Sequence, residues 1–356
     1  MHQPMQHKLK TGLICAVTLG ALAQVCHAEL SNKTRHHNRS GSHTQRGSGA
    51  LTIQGSEQLR KRRPASQLTA AHRNASRSQA LGYPFLNLGV PSRGQGHQGS
   101  VKTPSGVPMP VGNPPGWREV YTENFKTSVR RGDFAGCHDG KTILSSYCSR
   151  LPSQVMNKLW AYPDGWSDHT SGIYEPSQVL SIHNGLLDFY LHSAAGKHLV
   201  AAVEPKIPGG VSGNGMRYGA YAVRFKATPA PGYKTAFLLW PDDGEWPGHG
   251  EIDFPEGNLN GAITAAMHYW GGVSANSRES FSTTASYSRW HTATIVWTPN
   301  SCLFLLDGRV IGDSVTSIPR GPMHWVLQVQ TALDQVPADS TYGHVYVAWI
   351  TAYRET

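Results

Sequence analysis

The chain is short of several things, and each shortage narrows what it can be. Only five of 356 residues are cysteine, and none stands at a metal-ligand spacing, so no metal and no cofactor is expected. The apolar run at residues 11–25 is too short for a comfortable membrane span. No internal repeat is present, and no long helical period of apolar residues, so neither a repeat array nor a helical fold is indicated. Acidic residues are nearly missing from the first third. Residues 1–112 hold 2 Asp/Glu against 14 Lys/Arg, while the remainder holds 21 against 18. The formal charge of +9 therefore belongs to the first segment, and the rest is mildly acidic. Tryptophan is also missing there, since all ten lie at Trp117 or later.

A segment so polar cannot bury enough apolar surface to offset its ordering entropy. Residues 29–112 are accordingly expected to be a disordered basic linker or tail, and residues 113–356 a single domain of a size usual for an all-β sandwich. The densest charge run, Arg60-Lys61-Arg62-Arg63, has no aromatic stacking platform beside it, so nucleic acid is not an expected partner. A solvated linker is the preferred reading, with electrostatic attachment to an anionic envelope or exopolysaccharide as the functional option. Asn32, Asn38 and Asn74 head glycosylation sequons.

Residues 1–28 have the pattern of a secretory signal: Lys8 and Lys10, an apolar stretch, then small residues ending at Ala28. A secreted or periplasmic protein is expected. Cys15 and Cys26 would leave with the signal. Cys137 and Cys148 flank a short polar loop, and a disulfide between them is expected on export. Cys302 sits in an apolar, strand-like run and reads as a buried thiol.

Short alternating runs recur from Trp117 onward, at residues 186–191, 218–226, 262–270, 292–297, 325–330 and 344–353. Leu306-Asp307-Gly308-Arg309 reads as a hairpin turn. Many short strands with Gly- and Pro-rich turns indicate a sandwich.

Carboxylate is concentrated in one place. Glu251-Ile252-Asp253-Phe254-Pro255-Glu256 carries three acids in six positions. On a strand Glu251 and Asp253 share a face. Strict alternation would put Pro255 there instead of Glu256. One extra residue, a β-bulge, returns Glu256 to that face, and proline suits such a position because it lacks an N–H for the ladder. Acidic clusters are commonly solvated surface, but these flanks are unusual. Trp240 and Trp246 suit stacking on sugar rings, and glycines at 248, 250 and 257 let a bulky ligand approach the backbone. Two carboxyls with separated pKa values are what glycosidic cleavage requires.

Trp246-Pro247-x-x-Gly250-Glu251-Ile252-Asp253-Phe254-Pro255-Glu256 resembles the signature of glycoside hydrolase family 16 in its bulged, laminarinase-like form. Further similarity runs through Gly219-x-Tyr221-x-x-Arg224-Phe225-Lys226, His268-Tyr269-Trp270, Trp290-His291-Thr292, Asp307-Gly308 and Pro322-Met323. The resemblance implies a β-jelly-roll sandwich with a concave substrate cleft, and endo-acting, retaining hydrolysis of a β-linked polysaccharide. It implies Glu251 as nucleophile, ionised, and Glu256 as acid/base, protonated, with Asp253 between them hydrogen-bonded to Glu251. Their outer carboxyls should stand about 5–6 Å apart. Family members often carry an acidic residue in the last strand for a structural calcium. Ala348 stands there, so calcium is not expected at that place.

Strand parity adds a candidate floor for the substrate. Ile263, Ala265, Met267 and Tyr269 would face the core, opposite His268 and Trp270. By the same rule Arg224, Gln328 and Gln330 would join Trp240, Trp246, His268 and Trp270 around the carboxylates. The leading expectation is a monomeric exported endo-β-glucanase acting on β-1,3- or mixed β-1,3/1,4-glucan. An exopolysaccharide-trimming hydrolase or a transglycosylase would use the same fold. A non-catalytic carbohydrate-binding or cell-surface attachment protein is the reading from another class.

Overall fold

The computed structural model describes residues 103–356. The expected signal, the sequons and the Arg60–Arg63 run lie outside the described residues. The chain enters on β1 (Trp117–Glu123), and a small hairpin follows, β2 (Cys137–His138) and β3 (Tyr147–Cys148). Next come β4 (Leu159–Ala161), β5 (Trp166–Ser167), β6 (Gly172–Tyr174), β7 (Leu180–His183), β8 (Leu186–Ala194) and β9 (Lys197–Pro205). The central strands are β10 (Gly219–Ala227), β11 (Tyr233–Pro241), β12 (Glu251–Asn258), β13 (Ala262–His268) and β14 (Arg278–Ser286). The last five are β15 (His291–Trp297), β16 (Cys302–Leu306), β17 (Arg309–Ser314), β18 (Met323–Thr331) and β19 (Gly343–Glu355).

Two antiparallel layers result. The inner sheet runs β4-β9-β18-β11-β12-β13-β14. In the outer sheet β19 pairs with β1, β8 and β10, β7 flanks β8, and β10 continues through β15 and β16 to β17. Alternation explains the packing between them. Tyr221, Val223 and Phe225 of β10 face Phe237 and Leu239 of β11, Ile252 of β12 and Leu327 and Val329 of β18 across one continuous core. This is the all-β jelly-roll sandwich that the sequence led us to expect. The hairpin turn is as expected too, with Asp307 and Gly308 both at positive φ between paired Leu306 and Arg309. Cys137 and Cys148 are bridged across β2 and β3, and Cys302 is a buried free thiol.

One boundary changes. Residues from 103 onward, placed in the linker by composition, pack on the outer sheet. Val107 is buried with Ala222, Ala348 and Trp349, and the Trp349 indole N–H donates to the Val107 carbonyl at 3.1 Å. Val107 and Met109, spaced by prolines in a polar run, were too weak a signal to read.

Candidate active site

The bulge forms where the sequence requires it. Asp253 pairs with Ala266 and Glu256 with Thr264, so β12 spends three residues where β13 spends two. The extra residue lies at Phe254-Pro255, whose peptide bond is cis. Phe254 turns into the core against Phe304, with Ile252 also in the core. Glu251, Asp253 and Glu256 share the opposite face, opposite His268, Ala266 and Thr264 of β13. Glycine is needed at Gly250, whose φ is +74° and where a Cβ would stand 2.5 Å from the His268 carbonyl oxygen.

Glu251 and Asp253 are nearly closed off, 8% and 3% exposed. The Trp246 indole N–H donates to Glu251 Oε2 at 2.7 Å, and Trp240 stacks on Trp246 with centroids 6.1 Å apart. His268 Nε2 stands 3.6 Å from Asp253 Oδ2 and 3.8 Å from Glu251 Oε2. Those distances exceed hydrogen bonds, and burial, followed by the Arg278 charge, pushes the His268 imidazole down to about 4, so it is neutral near pH 7. Donor atoms of Glu251, Asp253 and His268 lie within 4.8 Å of one another. With the indole N–H already on Glu251, this is a proton-handling cluster more than a metal cradle.

A residue absent from the sequence reading completes the cluster. Lys234 of β11 reaches Glu256 Oε1 with Nζ at 2.9 Å. Burial and this ammonium act on the three acids unequally. Burial, then the Glu256 charge, pushes Glu251 up to about 7, and burial raises Asp253 well above the carboxylate range. Burial also pushes Glu256 upward, but Lys234, its hydrogen bond, Arg278 and His268 outweigh that and leave Glu256 below its ordinary value. Parity did hold a signal: residues 234, 236, 238 and 240 alternate onto one face, so Lys234 shares the side of Trp240.

Not every expected floor residue is there. Gln330 pairs with Lys234 and Gln328 with Ala236, next to Glu256, and the Gln328 amide donates to Gln330 Oε1. Trp270 lies beyond the end of β13, its ring stacked on His249 at 4.3 Å. The expected strand ran two residues too far. Arg224 belongs to the outer sheet. It bonds Thr292 Oγ1 and the Ser105 carbonyl and pairs with Asp307 at 3.6 Å, away from the carboxylates. Parity fixes a face of a strand but not the sheet that owns it. A second polar group was also missed. His324, opposite Trp240 on β18, bonds Asp242 at 2.9 Å and lies 3.7 Å from Glu204, which burial pushes up to about 7.

Residues 188–350 match the family model described as glycosyl hydrolases family 16. This segment is similar to glycosyl hydrolases family 16. The chain is 25% identical over 224 residues to the endo-1,3-1,4-beta-glycanase ExsH of Rhizobium meliloti (strain 1021), a match covering 59% of this chain and 45% of that protein. The chain thus spans less than half the length of that curated relative. Among solved structures, SCLam, a non-specific endo-beta-1,3(4)-glucanase from family GH16, is 18% identical with a TM-score of 0.50, covering 70% of this chain and 95% of that one. The laminarinase catalytic domain from Thermotoga petrophila RKU-1 is also 18% identical, with a TM-score of 0.49 over 67% of this chain and 98% of that one. The likeness to SCLam supports the jelly-roll fold.

Proposed function

We propose that the chain is an exported endo-β-glucan hydrolase acting on β-1,3- or mixed β-1,3/1,4-linked glucan with retention of configuration. The observation that carries this reading is the bulge that puts Glu251, Asp253 and Glu256 on one face of β12. Glu251 attacks the anomeric carbon and forms a glycosyl-enzyme, while Glu256 donates a proton to the departing oxygen. Water, deprotonated by Glu256, then releases the sugar. The Trp246 N–H stabilises Glu251 as a carboxylate and as a leaving group. Neutral His268 and Asp253 line the same pocket of charge. Burial favours the protonated forms of Glu251 and Asp253. Glu256 carries the proton at the moment the glycosidic oxygen departs. Trp240 and Trp246 offer the flat apolar surface a sugar ring needs. The relatives that act on β-1,3- and β-1,3-1,4-linked glucans support the substrate class. The Cys137–Cys148 bridge supports an oxidising compartment.

The test is proton NMR of the first product from a panel of laminarin, mixed-linkage glucan and cellulose oligomers. The β-anomer should form first from a 1,3-containing chain. An α-anomer formed first would overturn the double displacement, and no cleavage of any β-glucan would overturn the substrate class.

A further inference from the structure

Lys234 is the one charged residue on the open face of β11, between Tyr233 and Pro241. Its side chain is 11% exposed, and it meets Glu256 at 2.9 Å. Charged neighbours otherwise surround Glu256 unevenly. Its own strand brings Glu251 and Asp253, β13 brings His268, and β14 brings Arg278, paired in register with His268. Gln330 and Gln328 on β18 are neutral, the Tyr287 hydroxyl bonds Thr235 and stays protonated, and Asp334 bonds Asn258. Lys234 is thus the cation in direct contact with Glu256. A largely buried ion pair beside two further carboxylates is costly to assemble unless its geometry is used.

We propose that Lys234 is a positioning residue for the reaction, holding Glu256 as an ionised carboxylate before glycan binds, so that incoming glycan must part the pair before Glu256 donates its proton. The proposal rests on the acid/base role given to Glu256 above. Parting the pair and refilling the gap with a sugar hydroxyl lets Glu256 take up the proton that it donates. After the leaving sugar departs, the ammonium returns and favours the carboxylate form that deprotonates water. Lys234 therefore biases Glu256 toward its second task, and the substrate biases it toward its first. The lowered proton affinity of Glu256 before glycan binds agrees with this.

The test is carboxyl-carbon NMR of protein labelled at glutamate, with the Glu256 resonance identified by its loss in Glu256→Gln. In Lys234→Met the Glu256 titration should move up by about 1–3 pH units. The pH profile of kcat/KM on β-glucan should move the same way. An aryl glycoside with an activated leaving group needs no proton, so its profile should not follow the Glu256 shift. Lys234→Arg should bring the titration back toward the wild-type position. If Lys234→Met does not fold, Lys234→Gln reads the same shift. An unmoved Glu256 resonance overturns the proposal and leaves the role of Glu256 intact. A moved resonance with an unmoved glucan profile overturns the role of Glu256, and with it the part of Lys234 in the reaction.

Discussion

The two outward faces of the sandwich each hold a buried cation, and the two are used differently. On the outer sheet Arg224 is 6% exposed and is tied to fixed partners: the Thr292 hydroxyl, the Ser105 carbonyl and Asp307. Asp307 is itself held by the Thr292 N–H and by His291. On the inner sheet Lys234 is 9% exposed, and its charge partner belongs to a cluster whose protons are in question. The strap of residues around Val107 covers the outer face beside Arg224. The open face of the inner sheet carries the tryptophans instead. A buried charge is structural where every partner is already satisfied, and chemical where its partner still has to gain and lose a proton.

The sharpest test of this contrast lies on the inner face. Glu251→Gln should lower turnover on all substrates by on the order of 10⁴-fold or more, because an amide cannot become the leaving carboxylate. Glu256→Gln should cost roughly 10²–10⁴-fold on glucan but far less on an activated aryl glycoside, with azide accelerating release. Steady-state rates on both substrates decide it. Equal losses on the two would erase the division of labour.

On the outer face the effect should be one of stability. Arg224→Met should destabilise by about 1–3 kcal/mol, since the Ser105 carbonyl loses a buried donor, while kcat of the folded fraction stays within a factor of two or so. Urea unfolding beside active-site-normalised rates measures both. A large fall in kcat at full folding would put Arg224 back in the site.

The smallest effect belongs to the strap. Removing residues 103–110 exposes the Trp349 side chain and frees its indole N–H. A loss of about 1–2 kcal/mol follows, read as a Tm drop of roughly 2–6 °C, with turnover on soluble glucan retained. An unchanged Tm would show that the strap contributes nothing to the domain.

The site was legible as far as periodicity reaches. The carboxylate row could be read because alternation plus one proline allowed a single way to bring Glu256 round. The cysteine bridge and the Asp307-Gly308 turn could be read because both are local. Arg224 was misplaced because its face was visible in its neighbours, while the sheet that owns β10 is fixed by contacts with β19 and β15 far along the chain. Trp270 was misplaced because the strand stopped at His268, and its ring found His249 instead. Lys234 was overlooked for a different reason, since parity gave its face but not its partner. A lysine in an apolar run is ordinarily an exposed edge residue, and only the register with β12 shows that it meets an acid. The polar strand β14, whose exposed and half-buried residues alternate throughout, lacked the apolar beat that marks a strand.

The bulge has a genetic corollary. All three acids are carried by one strand within six codons, so they are inherited as a block, but their common orientation depends on the count of residues between the second and the third. Losing Pro255 alone would remove the extra residue that the bulge absorbs, and the third acid would fall where strict alternation already faces Glu251 and Asp253. A homologue with that deletion would change the motif's letters and keep its alignment in space, whereas a further residue on the strand with no second bulge would turn the third acid toward the interior. In comparing such chains, the number of residues separating Asp253 from Glu256 has to be read together with the bulge that accommodates it.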